Sequence, residues 1–305
     1  MADWGQLVVL GLLWGGSFFF ARIAVAEIPA LALVLYRVAL AAVALHLWLR
    51  IQGISFAPVI AMPGPFLALA LLNNVVPFSL IFLGQTRIGA GLASVFYATT
   101  PLWTVLVANA FTTDEKLSAA KLAGVGLGIA GVVVLIGPGS LPGLAGPAWA
   151  KLAVVGAAVS YAFAVVYAKH FKGLKPSLVA TGQLTASTVI MIPIVFLLYQ
   201  PAQIVTSNAT IIAAVIALGI VTTAFAFILY FRLIASAGAT NASLVTLLVP
   251  ASAILLGVVF LGERLATLEF VGLALIVSSL IVIDGRVFRR SQPKHRVTGK
   301  RAEGR

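Results

Sequence analysis

Residues 87–101 read RIGAGLASVFYATTP, and residues 236–250 read SAGATNASLVTLLVP. Shifted by 149 positions, Ala90 meets Ala239, Ala93 meets Ala242, Ser94 meets Ser243 and Pro101 meets Pro250. The register extends in both directions. Phe78 and Phe82 meet Phe227 and Phe231 upstream; downstream, after a slip of one residue, Glu115-Lys116-Leu117 meets Glu263-Arg264-Leu265 and Gly124 meets Gly272. Two apolar helices align by chance easily, but shared Pro, Ser, Glu and Gly in one register point to an internal repeat. Its halves are 1–138 and 146–285, with a tail over 286–305.

The composition says what solvent the repeat meets. Of 305 residues, 61% are hydrophobic and 9% charged, and the mean hydropathy is +1.12. Soluble domains carry about 25% charged residues, so most of this surface must face lipid. A spanning helix needs about 20 apolar residues. Runs of that kind, separated by Pro, Gly and charge clusters, fall at 5–21, 30–49, 64–84, 89–111, 119–137, 149–168, 176–198, 208–231, 238–261 and 267–284. The expected fold is therefore an all-α membrane protein of ten transmembrane helices. The runs are too long and uniform for a membrane barrel. The shortest separation is Gln85-Thr86-Arg87-Ile88, where Gly89-Ala90-Gly91 supports a tight turn. Five spans per half is an odd number, so the second half enters the bilayer from the opposite side: two inverted five-helix repeats, an arrangement that places a solute site near the midplane between them.

Lys and Arg set the orientation. With the N-terminus inside, the inner segments hold Arg50, Lys116, Lys121, Lys169, Lys172, Lys175 and Arg232, while the outer ones hold Arg22, Arg87, Lys151 and Arg264. The tail adds Arg286, Arg289, Arg290, Lys294, Arg296, Lys300, Arg301 and Arg305 to the inner side. Both termini are thus expected in the cytoplasm (N-in/C-in). Much of the +12 formal charge lies in that tail, which suits anionic lipid and makes a nucleic-acid face unnecessary. Met1-Ala2-Asp3-Trp4 has no positive region of a signal peptide, so the first run reads as a retained helix. Trp4, Trp48, Trp103 and Trp149 read as interfacial anchors.

At this point the chain resembles the drug/metabolite transporter superfamily, and within it the EamA-type transporters. The residues that carry the likeness are Leu13-Trp14-Gly15, Tyr36-Arg37, the small-residue runs ending in Pro101 and Pro250, and Glu115 and Glu263 after them. The likeness spans residues 5 to 284 and is most similar to the bacterial amino-acid and aromatic amino-acid exporter branch. It implies metabolite export through a cavity lined by helices 1, 3, 4, 6, 8 and 9, in a bacterial-type inner membrane.

Ionisable groups inside the membrane are costly and so mark function by default. Arg37 lies seven residues into the second span, about 10 Å deep by helical rise. Its expected role is structural, snorkelling outward or pairing with Glu263, with solute contact as the alternative. His46 reads as a packed or interfacial histidine, and Asp284 as an inner-interface residue. No carboxylate is expected at mid-depth, and Trp14-Gly15-Gly16-Ser17-Phe18 lacks the glutamate of small multidrug transporters. That disfavours proton antiport of cationic drugs. Phosphorylated solutes would need a mid-depth Lys or Arg clamp, and none is expected. A neutral or zwitterionic metabolite remains, with amino acids first among them; a multidrug or other metabolite carrier of the same fold, or a passive channel, are the alternatives.

The deep polar groups are uncharged: Asn73, Asn74, Tyr97, Thr100, Tyr161, Thr222, Asn241 and Thr246, with Ser160 and Ser243 beside them. Together with Trp14, Phe78 and Phe227 they form the expected substrate-binding set, aromatic walls with amides and hydroxyls between. Each taken singly equally suits an interhelical hydrogen bond. Pro77, Pro101 and Pro250 are expected to kink or gate their helices. The small residues around Gly89–Ser94 and Gly238–Ser243, and Gly124-x3-Gly128, are expected helix contacts. An enzyme would need a catalytic set at depth, and His46 without mid-depth acids supplies none. With no cysteine there is no thiolate metal site, and no cofactor is expected. The implied partners are a small solute and the lipid bilayer, not nucleic acid; no oligomeric state is specified, and a monomer is compatible with the sequence.

Overall fold

The computed structural model describes residues 2–111, 118–136, 146–237 and 245–284, all helix, turn or loop, with no strand among them. The long helices are α1 (Ala2–Ala24), α2 (Ala30–Ile51), α3 (Pro63–Gln85), α4 (Ala90–Phe111), α5 (Ala119–Ile136), α6 (Ala148–Phe171), α7 (Pro176–Leu198), α8 (209–237), α9 (Val245–Leu261) and α10 (Thr267–Asp284). Single turns at Ala57–Ile60 and Pro201–Ile204 lie between them. Among the described residues, α1–α4 and α6–α8 are long and apolar enough to cross a bilayer, at mean hydropathy 1.4 to 2.6. The remaining three carry shorter apolar stretches, Lys121–Val134, Leu248–Leu261 and Thr267–Ser279.

The side chains are distributed as lipid demands. Leu197, Ile60, Val43 and Phe260 are more than two-thirds exposed, whereas Asn74, Gln85, Ser187, Thr222 and Thr223 are buried. Lipid gives apolar helices no reason to associate, so close backbone approach and interhelical hydrogen bonds must hold them. At the α1–α9 crossing a Cβ on Gly15 would overlap the Ser252 hydroxyl, and that hydroxyl donates to the Gly11 carbonyl at 2.7 Å. A Cβ on Gly84 of α3 would come 2.8 Å from the Ala150 carbonyl of α6, and one on Gly219 of α8 would come 2.7 Å from Leu40 of α2. Gly128 and Gly131 of α5 lie against Ser279 and the Gly272 carbonyl of α10.

The packing partners pair off. α1 lies on α9 and α8, α6 on α4 and α3, α2 on α7, and α5 on α10. Exchanging each helix with the one five places on sends this set of contacts onto itself. The ends of the bundle are equally well sorted. At the end called upper here, Glu27 accepts from Thr206 and Asn208, Tyr36 donates to the Ile204 carbonyl, and Arg22 donates to the Gln85 carbonyl. At the lower end His46 packs on Phe56, Phe66 on Phe171, and Phe111 on Phe163.

Several of the described helices depart from regular geometry. Wide turns with i→i+5 bonding occupy Leu71–Val75 in α3 and Ala217–Phe225 in α8, at positions the 149-residue shift superposes. In α3 the reason is readable. The Val76 N–H goes to the Leu71 carbonyl and Pro77 has no N–H, so the Leu72 carbonyl has neither helical donor. The Ser160 hydroxyl of α6 supplies one, at 2.7 Å. In α8 the hydroxyls of Thr222 and Thr223 both donate to the Leu218 carbonyl. α4 breaks at Ala98–Thr99, immediately before Pro101, which opens its second piece (Thr100–Phe111). Pro250 lies within α9.

Candidate functional site

The interior of the bundle holds a cavity of about 1020 Å³. Its walls come from α1–α4 and α6–α9, so α2 and α7 join the six helices expected from the sequence. It extends from Gln85, near the upper end, to the loop 172–176 at the lower end, where Lys172 and Gly173 are exposed. The upper end is tied shut. Gln85 is fully buried, its Nε2 donates to the Phe18 carbonyl at 2.8 Å, and Arg22 Nη1 donates to the Gln85 carbonyl at 2.7 Å.

Trp14, Asn73, Asn74, Phe78, Tyr97, Thr100, Tyr161, Thr222 and Phe227 all line this cavity, as does Pro101. Pro77 and Pro250 are not among the lining residues; they stay in their helices as breaks in hydrogen bonding. Asn241 lies outside the described residues, as do the side chains of Thr246, Trp4 and Asp284, the residue Glu115, the 238–243 run and the tail.

The aromatic groups form a pair and a lane of four rings. Trp14 meets Tyr230 with ring centres 5.1 Å apart, Phe18 meets Tyr97 at 5.5 Å, Tyr97 meets Tyr161 edge-on at 5.6 Å, and Tyr161 meets Phe78 at 6.5 Å. The amides are anchored from α7. Asn73 Nδ2 donates to Gln183 Oε1 at 2.9 Å, and Asn74 Nδ2 to Ser187 Oγ at 3.0 Å. The Asn74 Oδ1 and Gln85 Oε1 atoms are buried without a hydrogen-bond partner, though both residues line the cavity. An acceptor left dry in this way is stabilised by a donor arriving with a ligand or water.

Arg37 departs from expectation. It neither snorkels nor pairs with Glu263; it is 9% exposed and lines the cavity wall. Its Nε donates to Thr223 Oγ1 at 3.0 Å, and its guanidinium carbon lies 3.8 Å from the centre of the Phe78 ring and 5.7 Å from that of Phe82. Removing a cation from water costs several kcal/mol. A hydrogen bond to a charged group contributes about 1.5–3 kcal/mol, and a desolvated cation–π contact about 2 kcal/mol. Those two contacts offset most of the cost and hold the guanidinium without an acid beside it. The expectation of a cavity wall free of charge is thereby corrected. Sequence gives the depth of Arg37 but not the direction it faces on the helix.

Glu263 is used elsewhere, on the N-terminus of α4 (Ala90 and Gly91). A second buried pair was not anticipated: Lys151 in the first turn of α6 and Glu269 in the first turn of α10 are 1% and 2% exposed and interact electrostatically. His46 is packed, as expected, against Phe56 and Thr185. Gln183 and Gln85 were also missed. The polar string Thr181, Gln183, Thr185, Ser187 and Thr188 in an otherwise apolar span was the available signal for the first.

The model of the EamA-like transporter family matches the chain twice, over residues 4–137 and 148–284. The chain belongs to the EamA-like transporter family. It is accordingly a membrane transporter and not an enzyme. Among curated relatives, the inner membrane transporter YedA of Escherichia coli K12 is 26% identical over 283 residues, covering 92% of this chain and 89% of YedA. A protein of Streptantibioticus cattleyicolor named "Probable terminal-alkyne amino-acid exporter" is 26% identical over 289 residues, covering 93% and 94%. A solved crystal structure superposes with a TM-score of 0.67 at 20% identity, over 93% of this chain and 97% of its own, and so shares the fold.

Proposed function

We propose that this transporter exports small zwitterionic or neutral metabolites, amino acids first among them, by alternating access through the central cavity. The observation that carries the proposal is the cavity itself: tied shut by Gln85, Phe18 and Arg22 at one end and reaching exposed loop residues at the other. A channel conducts through a path continuous from end to end, whereas a carrier exposes its site to one side at a time. Buried amide oxygens at Asn74 and Gln85 suit an ammonium group, and the aromatic lane from Phe18 to Phe78 suits an apolar side chain. The amino-acid exporter among the relatives favours the same class.

In this proposal all ten helices span the membrane, a bacterial-type inner membrane like that of YedA, with both termini cytoplasmic. Residues 1–138 and 146–285 act as two inverted repeats. The doubled family match, the matched wide turns of α3 and α8, and contacts that survive exchange of the halves support that division. The lower end then faces the cytoplasm, and the conformation described is inward-facing. Trp14, Asn73, Asn74, Phe78, Tyr97, Thr100, Tyr161, Thr222 and Phe227 contact the solute, and Asn241 and Thr246 belong to the same set by sequence. Pro77, Pro101 and Pro250 mark where helices flex.

The test is uptake and counterflow in proteoliposomes against amino acids, sugars and cationic dyes. Saturable, trans-stimulated movement of threonine, methionine or phenylalanine is expected, lost in Asn73→Ala and Tyr97→Ala. Movement of lipophilic cations alone would overturn the proposal.

A further inference from the structure

We infer that the solute carries a carboxylate and that Arg37 is the group that binds it. The inference rests on the transporter reading above and narrows its substrate class. Of the five N–H donors of an arginine, the Nε–H is taken by Thr223, which leaves the Nη1/Nη2 fork without a protein partner among the described residues. The described carboxylates are occupied elsewhere. Glu27 holds Thr206 and Asn208, Glu263 holds Ala90 and Gly91, and Glu269 accepts from the Ala266 N–H beside Lys151. The ionisable groups that act on Arg37 are the phenols of Tyr97 and Tyr161, themselves cavity residues.

The geometry aims the fork. The guanidinium carbon lies 3.8 Å from the centre of the Phe78 ring, Thr223 holds Nε, and Arg37 lines the cavity, so the Nη edge is the one left for a solute there. A planar fork of this kind matches a carboxylate or a phosphate through two parallel hydrogen bonds, which an ammonium on a flexible stem does not reproduce. One buried cation balances the single charge of a carboxylate but not the charge of up to two on a phosphate. A buried cation without a counter-ion also rejects cationic solutes by like charge. The cavity therefore selects for the acid group first and accommodates the rest of the solute along the aromatic lane.

Matched acid and amide probes test this on the full-length protein in detergent, with thermal stabilisation as the readout. The pairs are L-phenylalanine with L-phenylalaninamide, and hydrocinnamate with hydrocinnamamide. The acids are expected to stabilise the wild type. The amides, and the acids with Arg37→Met, are expected to bind about 100-fold more weakly, with Arg37→Lys between. An amide equal to its acid, an Arg37→Met protein that binds the acids as the wild type does, or no binding by either acid would each overturn the inference. The amide comparison needs no variant, so it decides the matter even where Arg37→Met does not fold. Failure of the transporter reading shows separately, as absence of counterflow for the whole solute panel.

Discussion

The Glu263 carboxylate, between α9 and α10, closes the N-terminus of α4 in the other half of the chain, accepting from the Ala90 N–H at 2.7 Å and the Gly91 N–H at 3.1 Å. The first N–H groups of a helix lack partners and carry partial positive charge, so one carboxylate satisfies two of them and joins the halves. Gly89 and Gly257 are small because that carboxylate fills the space a Cβ would take at either. Glu263→Gln, with one amide oxygen in place of two, should lower stability by about 1–3 kcal/mol. Glu263→Ala should cost more. Melting curves in detergent check both, and an unchanged midpoint would show the contact to be incidental.

A second prediction concerns the α1–α9 crossing. Gly15→Ala puts a methyl group where the Ser252 hydroxyl lies, whereas Gly64→Ala meets nothing within 4 Å. Overpacking of this kind costs about 1–3 kcal/mol. The first variant should melt earlier and the second should match the wild type. Gly128→Leu, crowding Leu102 and Ser279, should be worse still.

Ser160→Ala should behave as a lost hydrogen-bond donor and nothing more. The part-buried Leu72 carbonyl would lose the donor that Ser160 supplies, a penalty of about 1–3 kcal/mol. Because the side chain shrinks by a single oxygen, the loss of stability measures that bond. Full retention of stability would mean water replaces the hydroxyl.

Sidedness is accessible because the chain has no cysteine. Lys172→Cys and Thr206→Cys lie in loops at opposite ends. With both termini cytoplasmic, a membrane-impermeant maleimide applied to intact cells should label Thr206→Cys and spare Lys172→Cys. The reverse pattern would invert the orientation.

The helical architecture was legible because apolar runs of spanning length can fold in only one way in lipid. Most of the cavity set was legible because Asn73, Asn74, Tyr97 and Tyr161 are polar where polarity is expensive. The direction each residue faces was less so. Arg37 was given a structural role because its depth is encoded in its position along α2, while its partners Thr223 and Phe78 lie on α8 and α3. Lys151 and Glu269 went unpaired for the same reason: they belong to opposite ends of the second half and meet only when α6 and α10 are both in place. Gln85 looked like part of a turn, although it is the last residue of α3 and fully buried.

Face assignment in a helix assumes that every third or fourth residue returns to the same side. In α3 the cavity-lining residues are Leu69, Asn73, Asn74, Phe78, Ile81, Phe82 and Gln85, so the wide turn puts two consecutive residues, Asn73 and Asn74, on the inner side. Val76, a turn above Asn73, is 40% exposed to the outside, while Phe78, a turn above Asn74, is 5% exposed. The surplus residue of the wide turn thus hands the inward line from Leu69 and Asn73 to Asn74, which Phe78, Phe82 and Gln85 continue. The ring beneath Arg37 belongs to that second line.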